Sequence, residues 1–158
     1  MARMRYLSLT LVLLIIDRLL KWWASTSLEF AVPRNLIGNV IRLTRVHNVG
    51  GAFGLFPGGS TVFLIVSSIV AAVLFLILLT MHIDSRLIRA GMACVLAGAV
   101  GNLIDRIMWG YVLDFFEIRG FPIFNVADAC ITIGAGLIIL AVLLGGERHR
   151  SRRKADRV

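Results

Sequence analysis

The stretch STVFLIVSSIVAAVLFLILLTM, Ser60 to Met81, decides the fold class. Its 22 positions carry no charged side chain. A helix rises about 1.5 Å per residue, so this run spans a bilayer core of about 30 Å. Working outward, Ala129 to Gly146 is a second run of 18 uncharged positions. Leu87 to Ile104 is a third, interrupted only by Arg89 near its start, where a long side chain can snorkel. Its Gly91, Ala93, Ala97, Gly98, Ala99 and Gly101 suit close helix packing in lipid. Tyr6 to Ala24 imitates a secretory leader, with basic Arg3 and Arg5 before an apolar stretch. No small-residue cleavage site follows; Asp17, Arg18, Lys21 and the pair Trp22–Trp23 do, as expected for a retained helix ending at the interface belt.

The whole composition agrees. Of the 158 residues, 58% are hydrophobic and 16% charged, with a mean hydropathy of +0.87. A soluble fold of this size needs more polar surface than that, which excludes a disordered chain, a disulfide scaffold and most soluble enzymes. The expectation is a membrane all-α protein: one domain over 1–158, a four-transmembrane-helix bundle with spans near 6–24, 60–81, 87–105 and 129–146.

An even number of spans puts both termini on one side. Arg3, Arg5, Arg86, Arg89 and six basic residues between Arg148 and Val158 fall on that side, against Arg34, Arg42, Arg45 and Arg119 on the other. The positive-inside bias therefore sets the termini and the basic tail 147–158 in the cytoplasm. Six of the 17 Lys and Arg residues sit in that tail, so the net charge of +8 reads as a topology and headgroup signal rather than a nucleic-acid site. Cys94 and Cys130 fall at different depths, so no disulfide is expected. The outward loops 25–59 and 108–127 hold a weakly alternating stretch, Val40 to Val46, and turns at Pro57-Gly58-Gly59 and Arg119–Pro122.

Acids at bilayer depth are costly and mark functional candidates. Of nine, Asp84, Glu147 and Asp156 fall in cytoplasmic turns or tail, and Glu29 in the outer loop. Asp17, Asp105, Asp114, Glu117 and Asp128 remain, and the topology gathers all five at the outer interface. Asp17 and Lys21 stand at i, i+4, either a self-compensated pair or a substrate contact. Asp105 is flanked by Arg106 and, one turn earlier, Asn102. Glu117, near Arg119, reads as a solvated loop residue. Asp114 and Asp128 have no cation within four positions. Asp128 alone reads as a helix N-cap, Asp114 as an isolated interface carboxylate. Together, in one low-dielectric site, they would share a single proton and hydrolyse a peptide bond without metal or covalent intermediate.

Other catalytic sets are thin. The three histidines are split across the membrane, no His/Cys group has metal-ligand spacing, and no Gly-x-Ser-x-Gly elbow exists. A Lys21–Ser25 dyad is the rival peptidase arrangement. A non-enzymatic lipid-binding or transport scaffold is the rival of another class.

Five segments resemble bacterial lipoprotein signal peptidase (signal peptidase II): Asp17-Arg18-Leu19-Leu20-Lys21, His47-Asn48-Val49-Gly50-Gly51-Ala52-Phe53, Gly101-Asn102-Leu103-Ile104-Asp105-Arg106, Val112-Leu113-Asp114-Phe115, and Phe121-Pro122-Ile123-Phe124-Asn125-Val126-Ala127-Asp128. The resemblance implies an aspartic endopeptidase of the cytoplasmic membrane, with Asp114 and Asp128 as its dyad at the outer face. It implies supporting or substrate-binding positions at Asn48, Gly50, Asn102, Asp105, Arg106, Asn125 and Ala127, with Asp17 and Lys21 structural or substrate-proximal. The implied substrate is a diacylglyceryl-modified prolipoprotein, cut just before its lipidated cysteine. A small extracytoplasmic β-platform is implied, including Val40–Val46. Membrane lipids are the expected partners; no cofactor, metal or nucleic acid is expected, and the chain is read as a monomer. Gly51 departs from the alanine common in the family. Arg106 is expected to hold Asp105 or to meet a lipid or peptide carbonyl. The glycine-rich loop Asn48–Gly59 is expected to close over the site.

Overall fold

The computed structural model describes residues 2–49 and 60–155. In chain order the elements are α1 (Ala2–Ser27), β1 (Arg34–Ile37), β2 (Ile41–Asn48), α2 (Ser60–Thr80), α3 (Arg86–Trp109), β3 (Val112–Ile118) and α4 (Val126–Ala155). Three stretches among the described residues are long and apolar enough to cross a membrane: Thr61–Thr80, Arg86–Trp109 and Val126–Gly145. The 26-residue α1 has the length, but Asp17, Arg18 and Lys21 interrupt its apolar run.

α3 is the inner helix. Half of its apolar stretch is buried, against about a tenth for α2. Small residues let α4 approach it backbone to backbone: a Cβ on Gly91 would lie 2.6 Å from the Gly134 carbonyl oxygen, and one on Gly98 would lie 2.2 Å from that of Ala127. α2 packs Ala71 and Leu78 against Met92, Ala93 and Leu96 of α3, and turns Val62, Ile65, Ile69 and Leu76 outward. Ser85 caps the start of α3 by accepting from the Ile88 N–H, and Gly110 ends it in the left-handed conformation, φ 76°.

The strands form one antiparallel sheet in the order β1-β2-β3. Leu43, Leu113 and Phe115 pack it onto Ala24 and Leu28, at the end of α1. The expected strand at 40–46 is β2, two residues further along at its C-terminal end. β3 corrects the reading of 108–127 as loop and turns. Val112, Leu113, Asp114 and Phe115 are all buried, so the strand is covered on both faces and shows no alternation to read.

Several boundaries also move, and α1 runs Ala2–Ser27 rather than 6–24. α3 runs to Trp109 rather than 105, and α4 starts at Val126 rather than 129 because Asn125 caps it. α4 also continues to Ala155, through much of the basic tail. Cys94 and Cys130 are both free. Glu117 is not a solvated neighbour of Arg119: it pairs with Arg42 and accepts from the Thr44 hydroxyl, pinning β3 to β2. Those donors hold its carboxyl below the usual range, the Thr44 hydroxyl contributing most.

Candidate active site

Asn125 organises the site. It caps α4: its Oδ1 accepts from the Asp128 N–H at 2.9 Å, while Asp128 Oδ2 accepts from the Asn125 N–H at 3.2 Å. This reciprocal capping box corrects the expectation that Asp128 is itself the N-cap; it sits three residues on. Because its oxygen is committed to the cap, the Asn125 amide nitrogen faces the strand and donates to Asp114 Oδ1 at 2.6 Å. One fully buried asparagine thus bonds both carboxylates.

The remaining carboxylate oxygens are met the same way. Asn48, closing β2, donates to Asp114 Oδ2 at 2.9 Å. Asn102 of α3 donates to Asp128 Oδ1 at 2.7 Å. Asn102 Oδ1 accepts from Lys21 Nζ at 3.0 Å and from Asn125 Nδ2 at 3.1 Å, which fixes the direction of its amide. Asp114 is 1% exposed. Burial, and next the charge of Asp128, push its pKa up to about 7 against the pull of the Asn48 and Asn125 amides.

Next to these acids lies an ionic cluster. Lys21 Nζ is 2.7 Å from Asp105 and 3.2 Å from Asp17, and Arg18 bonds both carboxylates. The i, i+4 pair therefore exists as part of a tetrad. Asp17 also accepts from the Ala127 N–H at 3.0 Å, and Asp105 from the Leu113 N–H at 3.3 Å. Ala127 is fully buried and must stay small, since a Cβ at Gly101 would already approach its own Cβ to 3.2 Å.

One of the two alternatives for Arg106 is corrected, and the rival dyad is absent. Arg106 does not hold Asp105; it donates to the Asn102 carbonyl oxygen at 3.4 Å and lies over the Phe63 ring. Arg18 and Lys21 hold Asp105 instead. Arg18 was missed as a site residue because its contact with Asp105 spans 87 positions. The Lys21–Ser25 dyad does not form: the Ser25 hydroxyl donates to the Trp22 carbonyl at 2.7 Å, while Lys21 is enclosed by Asp17, Asp105 and Asn102. Gly50, Gly51 and the expected closing loop through Gly59 lie outside the described residues. No cluster of metal-ligating side chains occurs among the described residues. Two acids with neutral amide partners, one of them titrating near neutrality, form a pair able to carry one proton and exchange it with water and a carbonyl.

Residues 9–144 match the family described as Signal peptidase (SPase) II. A protein of Moorella thermoacetica named lipoprotein signal peptidase is 39% identical over 93% of this chain and 99% of its own length. One of Shouchella clausii with the same name is 37% identical over 89% of this chain and 93% of its own. A solved structure described as a bacterial membrane enzyme, at 2.3 Å, superposes with a TM-score of 0.84 at 29% identity, covering 91% of this chain and 90% of that one.

Proposed function

The chain belongs to the signal peptidase II family, membrane proteases of lipoprotein processing, and on that premise we propose that it is an aspartic endopeptidase with Asp114 and Asp128 as its dyad. The carrying observation is that Asn125 joins the buried Asp114 carboxylate of β3 to the half-buried Asp128 carboxylate in the first turn of α4. At neutral pH the pair holds one proton, and Asp114, which burial pushes up to about 7, is able to carry it. Asp128 takes a proton from water as the water oxygen attacks the scissile carbonyl carbon, and Asp114 gives its proton to the carbonyl oxygen. In collapse, Asp114 recovers a proton from the gem-diol and Asp128 delivers its own to the departing amine.

The substrate is a diacylglyceryl-modified prolipoprotein, cut immediately before the lipidated cysteine. α1 completes the four spans of a single integral membrane domain; its Asp17, Arg18 and Lys21 turn inward onto α3 and α4, and Lys21 and Asp17 are both buried. The bias of basic residues puts both termini in the cytoplasm and the sheet and dyad at the outer face of the cytoplasmic membrane, where a lipid-anchored substrate diffuses. The protein acts as a monomer among membrane lipids. Asn48, Asn102 and Asn125 hold the dyad, and Arg106 lies close enough to interact with both acids electrostatically.

The test is incubation of the purified full chain with a diacylglyceryl-modified prolipoprotein. Cleavage by the parent protein, and its loss in Asp114→Asn and Asp128→Asn with folding and insertion intact, is the expected result. Cleavage surviving either substitution would refute the dyad.

A further inference from the structure

The proposed reaction needs Asp114 and Asp128 at a constant separation, although one stands on a strand and the other on a helix. One residue before each acid, a main-chain N–H is held by a buried carboxylate. The Leu113 N–H donates to Asp105 Oδ2 and the Ala127 N–H to Asp17 Oδ1. The two holding carboxylates come from different helices, and Arg18 joins them. Its Nη1 donates to Asp105 Oδ1 at 2.7 Å; its Nη2 and Nε donate to Asp17 Oδ2 at 2.9 and 3.3 Å.

We propose that Arg18 is a positioning residue: by bracing Asp17 against Asp105, it sets the places of Leu113 and Ala127 and hence the spacing of the two reacting carboxyls. The inference rests on the dyad reading above. Lys21 bridges the same two carboxylates, but through a single nitrogen, about which both can swing. A guanidinium is planar, and three of its nitrogens are engaged here, so it fixes an angle as well as a distance. Arg18 is also the accessible member, its side chain 25% exposed while those of Asp17 and Asp105 are buried.

The experiment compares Arg18→Met and Arg18→Lys with Asp114→Asn and Asp128→Asn. All are purified full chains, assayed on diacylglyceryl-modified prolipoprotein with kcat and KM read separately across pH. Displacing a reacting group by about 1 Å costs roughly a hundredfold in rate, so Arg18→Met should lose that much kcat. Arg18→Lys keeps the charge and therefore the fold, but offers one nitrogen; it should lose roughly tenfold. KM should stay within about twofold, because nothing that touches substrate has changed.

The pH profile should narrow in both variants, since looser spacing weakens the repulsion that separates the pair's two titration steps. The charged groups around the pair (Asp17 and Lys21 of α1, Asp105 and Arg106 of α3) are all retained. A parental kcat in Arg18→Lys, or a loss confined to KM, would overturn the inference. So would a lower melting temperature with kcat per folded molecule and the pH profile unchanged. Cleavage lost in the two aspartate variants but kept in both Arg18 variants overturns the inference alone; cleavage kept in an aspartate variant overturns the dyad reading with it.

Discussion

Two groups of ionisable side chains, largely withdrawn from solvent, lie side by side in this protein and are satisfied in opposite ways. In the tetrad Asp17, Arg18, Lys21 and Asp105, two carboxylates meet two cations at 2.7 to 3.2 Å. In the pair Asp114 and Asp128, every carboxylate oxygen instead accepts from a neutral donor: the amides of Asn48, Asn102 and Asn125 and one main-chain N–H. A cation at contact would lock a carboxylate in its ionised form; an amide orients it and leaves its proton exchangeable. The tetrad is compensated by cations at contact, the pair only by neutral donors. Lys21 belongs to the first and reaches the second only through Asn102, so Asp114 and Asp128 feel its charge without contact.

Breaking the compensated side should have the largest effect. Lys21→Met leaves two buried carboxylates to Arg18 alone and should cost about 3–5 kcal/mol, read as a lower midpoint of thermal unfolding in detergent. Converting the uncompensated side to the other kind comes next. Asn48→Lys sets an ammonium beside Asp114; lowering that acid by about two pK units leaves roughly one molecule in a hundred with its proton at pH 7. Activity at neutrality should fall accordingly and return on acidification.

The smallest effect is in the parent protein itself. Asp114 keeps its proton up to about 7, against an ordinary 3.8. Cleavage should decline tenfold per pH unit above about 7, as the pair becomes doubly ionised, and also decline in acid, as it becomes doubly protonated. Between the two values the folded state binds more protons than the unfolded one, so stability should fall as pH rises through that interval. A rate constant across that range would remove the distinction between tetrad and pair.

How legible each part was follows from how local its physics is. The three apolar helices, the glycine-lined face of α3 and the Asp17–Lys21 spacing are properties of contiguous sequence, and hydropathy or helical period exposes them. The pattern Asn125-Val126-Ala127-Asp128 was also local: a capping asparagine with an acid three residues on, a signal that reading Asp128 alone overlooked. β3 was hidden because burial on both faces erases alternation. Arg106 is the neighbour of Asp105 in sequence, yet on a helix adjacent residues point apart, and the two cations that reach Asp105, Arg18 and Lys21, come from α1.

By itself, then, the sequence determined a membrane protein, because crossing lipid imposes a length and an apolarity that contiguous residues must supply. Five motifs in order were enough to mark the family. Only the tertiary structure decided which acid meets which partner. Hydrogen bonds and ion pairs act over about 3 Å, and the elements that bring Asn125 to Asp114 and Arg18 to Asp105 are brought together by packing, not by spacing along the chain.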